Sequence, residues 1–166
     1  MNRVFKKIQD VLTSNTAKFL DAGVQPPETI DIYLGQPSAP GAFEFFNPAV
    51  FFDYNIDYDQ GLCYIYLHCL QDFGADTENF AAHQDDGLKY IEYLKVIKQC
   101  LNKVRPGKPF GALKLYQDIP VQSEYYLYHQ ITLRCSVDTG LDDADIYIDV
   151  PDVTYMFEDG RLRDHI

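Results

Sequence analysis

The chain has no tryptophan and few cations: 14 Lys and Arg stand against 25 Asp and Glu, a formal net charge of -11. An acidic surface repels phosphate, which argues against specific binding of nucleic acid or of an anionic membrane. No apolar run approaches the ~20 residues that span a bilayer. Val4, Phe5 and Ile8 are interrupted by Lys6 and Lys7 and followed by Gln9, which is not the pattern of a secretory signal. Cys63, Cys69, Cys100 and Cys135 include no C-x-x-C pair, so no zinc site is expected. They read as small buried hydrophobes of a reducing compartment rather than as a disulfide framework. A glycine-rich loop that would cradle phosphate is missing too.

What is abundant is tyrosine and phenylalanine, 13 and 11 among 166 residues. That length supports one domain with a proper core, and no repeat, linker or low-complexity block divides residues 1–166. The organising stretch is Val50 to Phe73. Val50, Phe52, Tyr54, Ile56 and Tyr58 alternate with Phe51, Asp53, Asn55 and Asp57, the period of a strand with one face buried and one wet. Asp59-Gln60-Gly61 forms a turn, and Leu62 to Leu70 returns apolar or aromatic on both faces. This predicts a long antiparallel hairpin whose second arm lies deeper in a sheet than its first.

Before the hairpin, Val4, Phe5, Ile8, Val11, Leu12 and Phe19 predict an amphipathic helix over Arg3 to Leu20, with a polar gap at Ser14-Asn15-Thr16. Thr29 to Leu34 is a short strand with Ile30, Ile32 and Leu34 on one face. Residues 35–48 form a loop rich in Pro, Gly and Phe. Its Phe43, Phe45 and Phe46 either fold back on the core or form a docking surface. After the hairpin, 74–78 reads as a turn and Ala81 to Lys103 as a second helix. That helix has an apolar stripe of Leu88, Ile91, Leu94, Ile97, Leu101 and Val104, flanked by Tyr90 and Tyr93. Leu113 to Pro120 is a poor, Pro-ended strand; Tyr125 to Asp138 is a strong one. Residues 139–166 form an acidic extension, with one more strand at Ile146 to Val150. The expected class is α+β: a mostly antiparallel sheet organised on the hairpin and covered by two amphipathic helices.

Asp138-Thr139-Gly140, preceded by Val137 and followed by Leu141-Asp142-Asp143, resembles the catalytic turn of retroviral aspartic proteases. That chemistry needs two such Asp side chains sharing a proton. The 26 residues after Gly140 are too few for a flap and its supporting elements, so Asp138 is expected to be structural. Asp138, Asp142, Asp143 and Asp145 lack the glycine and closing glutamate of a helix-loop-helix calcium site and read as a solvated acidic turn. His68 reads as a hydrogen-bonded core residue beside Tyr64 and Tyr66. His83, His129 and His165 form no triad with a Ser or Cys. No catalysis, metal or cofactor is expected.

The order of elements resembles the tail-terminator or tail-completion (head-to-tail connector) proteins of tailed bacteriophages. The likeness runs over the opening helix, Pro48-Ala49-Val50-Phe51-Phe52 leading into a strand, Leu62 to Asp72, the helix Leu88 to Leu101 and the strand Tyr128 to Asp138. The loop from Gly35 to Asn47 and the tail after Gly140 depart from it. The resemblance implies a non-enzymatic virion protein, assembled in the host cytoplasm. It would form a ring with copies of itself, usually a hexamer, and join tail tube to connector while DNA passes without specific binding. Under that reading Asp53, Asp57 and Asp59 are candidate channel-facing residues, and Phe43, Phe45 and Phe46 candidate interface residues. The alternative is a binding or enzymatic domain with an aromatic-lined pocket, drawn from Tyr54, Tyr58, Tyr64, Tyr66, Tyr125, Tyr126 and Tyr128.

Overall fold

The opening apolar periodicity forms α1 (Asn2–Ser14), which buries Val4, Ile8 and Leu12. The polar gap breaks the helix. Asn15 leaves helical geometry, and its amide, with the Ser14 hydroxyl, donates back to the Val11 carbonyl. Side chains that compete for backbone carbonyls end helices this way. The expected single helix is therefore two, and α2 (Thr16–Asp21) turns Phe19 into the core. The computed structural model describes residues 1–39, 41–72, 84–138 and 140. The turn at 74–78, the acidic turn at 142–145, the strand at 146–150 and the remaining tail lie outside the described residues.

Five strands follow: β1 (Thr29–Ile32), β2 (Ala49–Asp57), β3 (Leu62–Asp72), β4 (Lys114–Val121) and β5 (Tyr126–Ser136), with α3 (Gln84–Leu101) between β3 and β4. The sheet order is β1-β2-β3-β5-β4, giving an α+β fold. Only β1 against β2 is parallel; the other three pairings are antiparallel. The hairpin organises it as expected, with β3 as the central strand, apolar on both sides. Gly61 closes the turn at φ 60°, and Asp57 accepts the Gln60 amide at 2.9 Å.

All three helices pack on one face of the sheet. Val4, Ile8, Leu12, Phe19, Tyr93, Leu94, Ile97 and Leu101 meet Val50, Phe52, Ile65, Leu67, Ile131 and Leu133 there. The stripe of α3 differs from expectation. Leu88 and Ile91 are 53% and 58% exposed, while Tyr90 and Tyr93 are buried. Steps of three residues drift about 60° round a helix, so Leu88 and Ile91 cannot share a face with Ile97 and Leu101. The buried stripe is Tyr90, Tyr93, Leu94, Val96, Ile97, Cys100 and Leu101, and it carries the larger rings.

Two strands also differ in detail. Alternation along β2 does not persist: Ala49 to Phe52 are buried on both faces, while Asp53, Tyr54 and Asn55 are exposed. Of the three apolar residues from Ile30 to Leu34 expected on one face, Ile30 alone packs on the core; Ile32 and Leu34 stand exposed. The Pro-ended segment is a full edge strand, β4, tolerated because Pro120 lies on the rim and a bulge interrupts the register between Leu115 and Gln117.

Candidate functional site

Cross-strand partners share a face of the sheet, so the register shows what the helix-free face carries. Its lower half holds Ala49, Phe51 and Leu70, backed by Tyr126 and Tyr128 and covered by Tyr33 and Phe45. Its upper half, toward the hairpin tip, carries two rows. One runs Asp53, Tyr66, Thr132, Gln117; the next runs Asn55, Tyr64, Arg134, Lys114. Tyr116 sits in the bulge, its ring 5.6 Å from that of Tyr64 and 5.1 Å below the Arg134 guanidinium. The acids lie on the β2 side and the bases on the β4 side. Tyr and Arg in such a mix are the side chains that carry most energy at protein interfaces.

The residues named from sequence separate here. Asp53 and Asp57 fall on the upper half of this face, and Asp59 lies in the turn. The three phenylalanines do not act together. Phe45 is half-buried and plugs the lower half edge-on to Phe51 and beside Tyr126. Phe43 is half-buried, and Phe46 stands 75% exposed. A 3-10 turn at Gln36–Ser38 opens the loop, and the buried Gln36 side chain ties it down by accepting the Leu34 amide and donating to the Ile32 carbonyl. Lys114, Leu115, Tyr116 and Arg134 were not singled out from sequence. Their neighbours lie on strands distant in the chain, and no local signal reports that.

One polar cluster is buried and a second lies at the surface. His68, under Phe45's half of the face, stacks on Tyr33 with ring centroids 3.8 Å apart, and its Nδ1 meets the Tyr128 hydroxyl. Its Nε2 is buried with no partner. Burial pushes this imidazole down to about 4, with Asp53 opposing. Burial likewise raises the Tyr128 phenol. On the helix side, Lys98 and His129 both pair with Asp118, at 2.5 and 3.2 Å, tying α3 to β4 and β5. Burial lowers His129 and Asp118 opposes it. The Tyr90 hydroxyl donates to the Cys69 carbonyl at 2.9 Å.

The four cysteines are free and buried, Cys63 directly across from Cys135. Asp138 accepts the Gly140 amide at 3.2 Å and donates its own amide to the Pro109 carbonyl, a turn-forming arrangement. Among the described residues no group of three or more His, Cys, Asp or Glu could hold a metal ion. No described helix is long and apolar enough to cross a membrane. A cleft of about 530 Å³ opens between the α2–β1 connection, the residues leading into β2, the end of β3 and α3, with the Asn47 side-chain carbonyl and the Tyr93 hydroxyl buried there without partners. A shallower one of about 320 Å³ lies between Tyr33, Tyr125 and Tyr128. Comparison with known proteins identifies no relative: no family model, curated protein or solved structure matches the chain.

Proposed function

We propose that the chain is a structural subunit of a tailed-phage particle, a ring at the tail end or head-to-tail junction through which DNA passes. The observation that carries this reading is the hairpin's upper half. Its other side is buried in the core, while among the described residues no element covers its helix-free side, a charge-divided face bearing Asp53, Tyr64, Tyr66, Tyr116 and Arg134. A sheet half left bare on one side is a surface that assembly would bury. Phe46, Ile32 and Leu34 add exposed apolar area at the β1 edge. Asp53, Asp57 and Asp59 are the candidates for an anionic channel wall, which would let phosphates pass without the grip of a basic one.

Native mass spectrometry and negative-stain microscopy test the assembly, on the protein alone and mixed with tail-tube and connector proteins. The expected product is a symmetric ring. A strict monomer in every mixture would overturn the reading. A second reading, a ligand-binding domain, is favoured by the cleft between Tyr33, Tyr125 and Tyr128. A small molecule whose binding is abolished by Tyr125→Ala in a strictly monomeric protein would support that one instead.

A further inference from the structure

Cys63 and Cys135 are direct partners on the central strand β3 and its neighbour β5, one pair in from the hairpin end of the sheet. Partners in register project to the same face, so both thiols lie on the helix side, level with Ile56 and beside the buried Ile65–Leu133 pair. The hairpin end sets the phase of the ladder. The Val137 amide donates to the Gly61 carbonyl at 2.8 Å, which makes those two residues a hydrogen-bonded pair. Alternation along the strands makes Cys63 and Cys135 the next such pair. Residues so paired lie about 5.5 Å apart at Cα, inside the range that a disulfide bridges without backbone movement. The other two cysteines are placed differently: Cys69 is opposite His129, and Cys100 lies on α3.

Both thiols are buried, at 0% and 3% exposure, but at the margin of the core. Ile56, opposite Cys63, and Val137, just beyond Cys135, are only partly buried. The connection at 107–111 is laced to the same end of β5. Phe110 bridges to Val137, the Gly111 amide donates to the Ser136 carbonyl at 2.8 Å, and the Asp138 amide to the Pro109 carbonyl at 2.9 Å. Sheet ends held by a few such bonds open locally at less cost than a core strand. Hydrogen bonding between the two thiols, the largest influence on each, lowers Cys135 and raises Cys63. Burial adds to the rise at Cys63 and opposes the fall at Cys135. Cys135 is therefore the better nucleophile of the two, and Cys63 stands in place to resolve what forms on it.

We propose that Cys63 and Cys135 form a reversible oxidation site, which hydrogen peroxide converts to a cross-strand disulfide within one copy. The Cys135 thiolate attacks one peroxide oxygen, the O–O bond breaks, and the departing hydroxide takes up the thiol proton as water. The Cys63 sulfur then displaces the hydroxyl from the Cys135 sulfenic acid, and a second water leaves with the Cys63 proton. Two thiols lose two electrons and two hydrogens, and one peroxide becomes two waters. A dithiol reverses the step. The bond closes a loop of about 70 residues. It pins β3 to β5 one pair from Tyr64 and Arg134, and so stiffens the half of the sheet whose free face carries those side chains. Because it lies inside one copy, it does not depend on the ring reading.

The test treats the full-length protein, folded, with hydrogen peroxide, then denatures and alkylates it with iodoacetamide for intact mass and non-reducing peptide mapping. The expected result is two alkylated thiols in place of four, with a single linked peptide joining Cys63 to Cys135. Dithiothreitol should restore all four. The melting temperature of the oxidised protein should rise by about 5–10 °C. Cys135→Ala should lose both the link and the rise; if that variant does not fold, the wild-type peptide map decides alone. Four alkylated thiols after peroxide overturn the proposal. So do oxidation that stops at a sulfinic acid on Cys135, and a disulfide that joins Cys69, Cys100 or two copies instead. A Cys63–Cys135 link with no rise in melting temperature overturns its role in pinning the sheet.

Discussion

His68 places a titratable base where charge is poorly tolerated. It is buried under Tyr33, with Nε2 unpartnered and its pKa lowered from 6.5 to about 4. As pH falls, the unfolded chain therefore binds this proton first. Stability that depends on the neutral ring is fully present above about 6.5 and is lost progressively toward 4. His68→Gln removes that component. Its melting temperature, measured from pH 7 to pH 4.5, is expected to fall less steeply than that of the wild type. Equal slopes would mean that the imidazole is not held in this buried, stacked position. Sequence pointed to a hydrogen-bonded core histidine, and the Tyr128 contact agrees; Tyr33, 35 residues away, could not be named as its stacking partner.

At the scale of the element, α3 separates residues that a loose periodicity groups together. Leu94 is buried among Tyr93, Ile97 and the sheet, whereas Ile91 faces outward. Leu94→Ala is expected to cost about 3 kcal/mol in urea unfolding through lost burial and the cavity left behind. Ile91→Ala should stay within about 0.5 kcal/mol of wild type, as exposed substitutions in helices usually do. Comparable losses for both would return Ile91 to the buried stripe. The break at Asn15 is another matter of element scale. The polar gap was visible in the sequence, but whether it interrupts the helix depends on Asn15 and Ser14 turning back on the Val11 carbonyl.

For the whole molecule, charge is divided across the free face, acids toward β2 and bases toward β4. In a ring, any substitution is multiplied by the number of copies. Asp59, in the hairpin turn, therefore isolates the channel question. Asp59→Lys should leave particles assembled while slowing DNA ejection, more so at low salt where screening is weakest. Unchanged ejection from intact particles would remove Asp59 from the channel wall. An Asp59 that only keeps the turn solvated would give that outcome.

The sequence by itself determined the α+β class, the hairpin about Gly61, the central place of Leu62–Asp72 and the burial of the four cysteines. Each follows from local periodicity, turn chemistry or residue hydrophobicity, which a linear reading contains. Only the tertiary structure decided that β1 runs parallel to β2 and stops at Ile32, so that among the described residues no strand pairs with that edge from Asp53 to Asp57. It alone sent Phe45 inward and left Phe46 outside, and it brought Leu115 and Lys114 into the rows of Tyr54 and Asn55. Those outcomes depend on strand order and register between segments some 60 residues apart, set by the packing of the whole sheet against three helices rather than by any one stretch of chain.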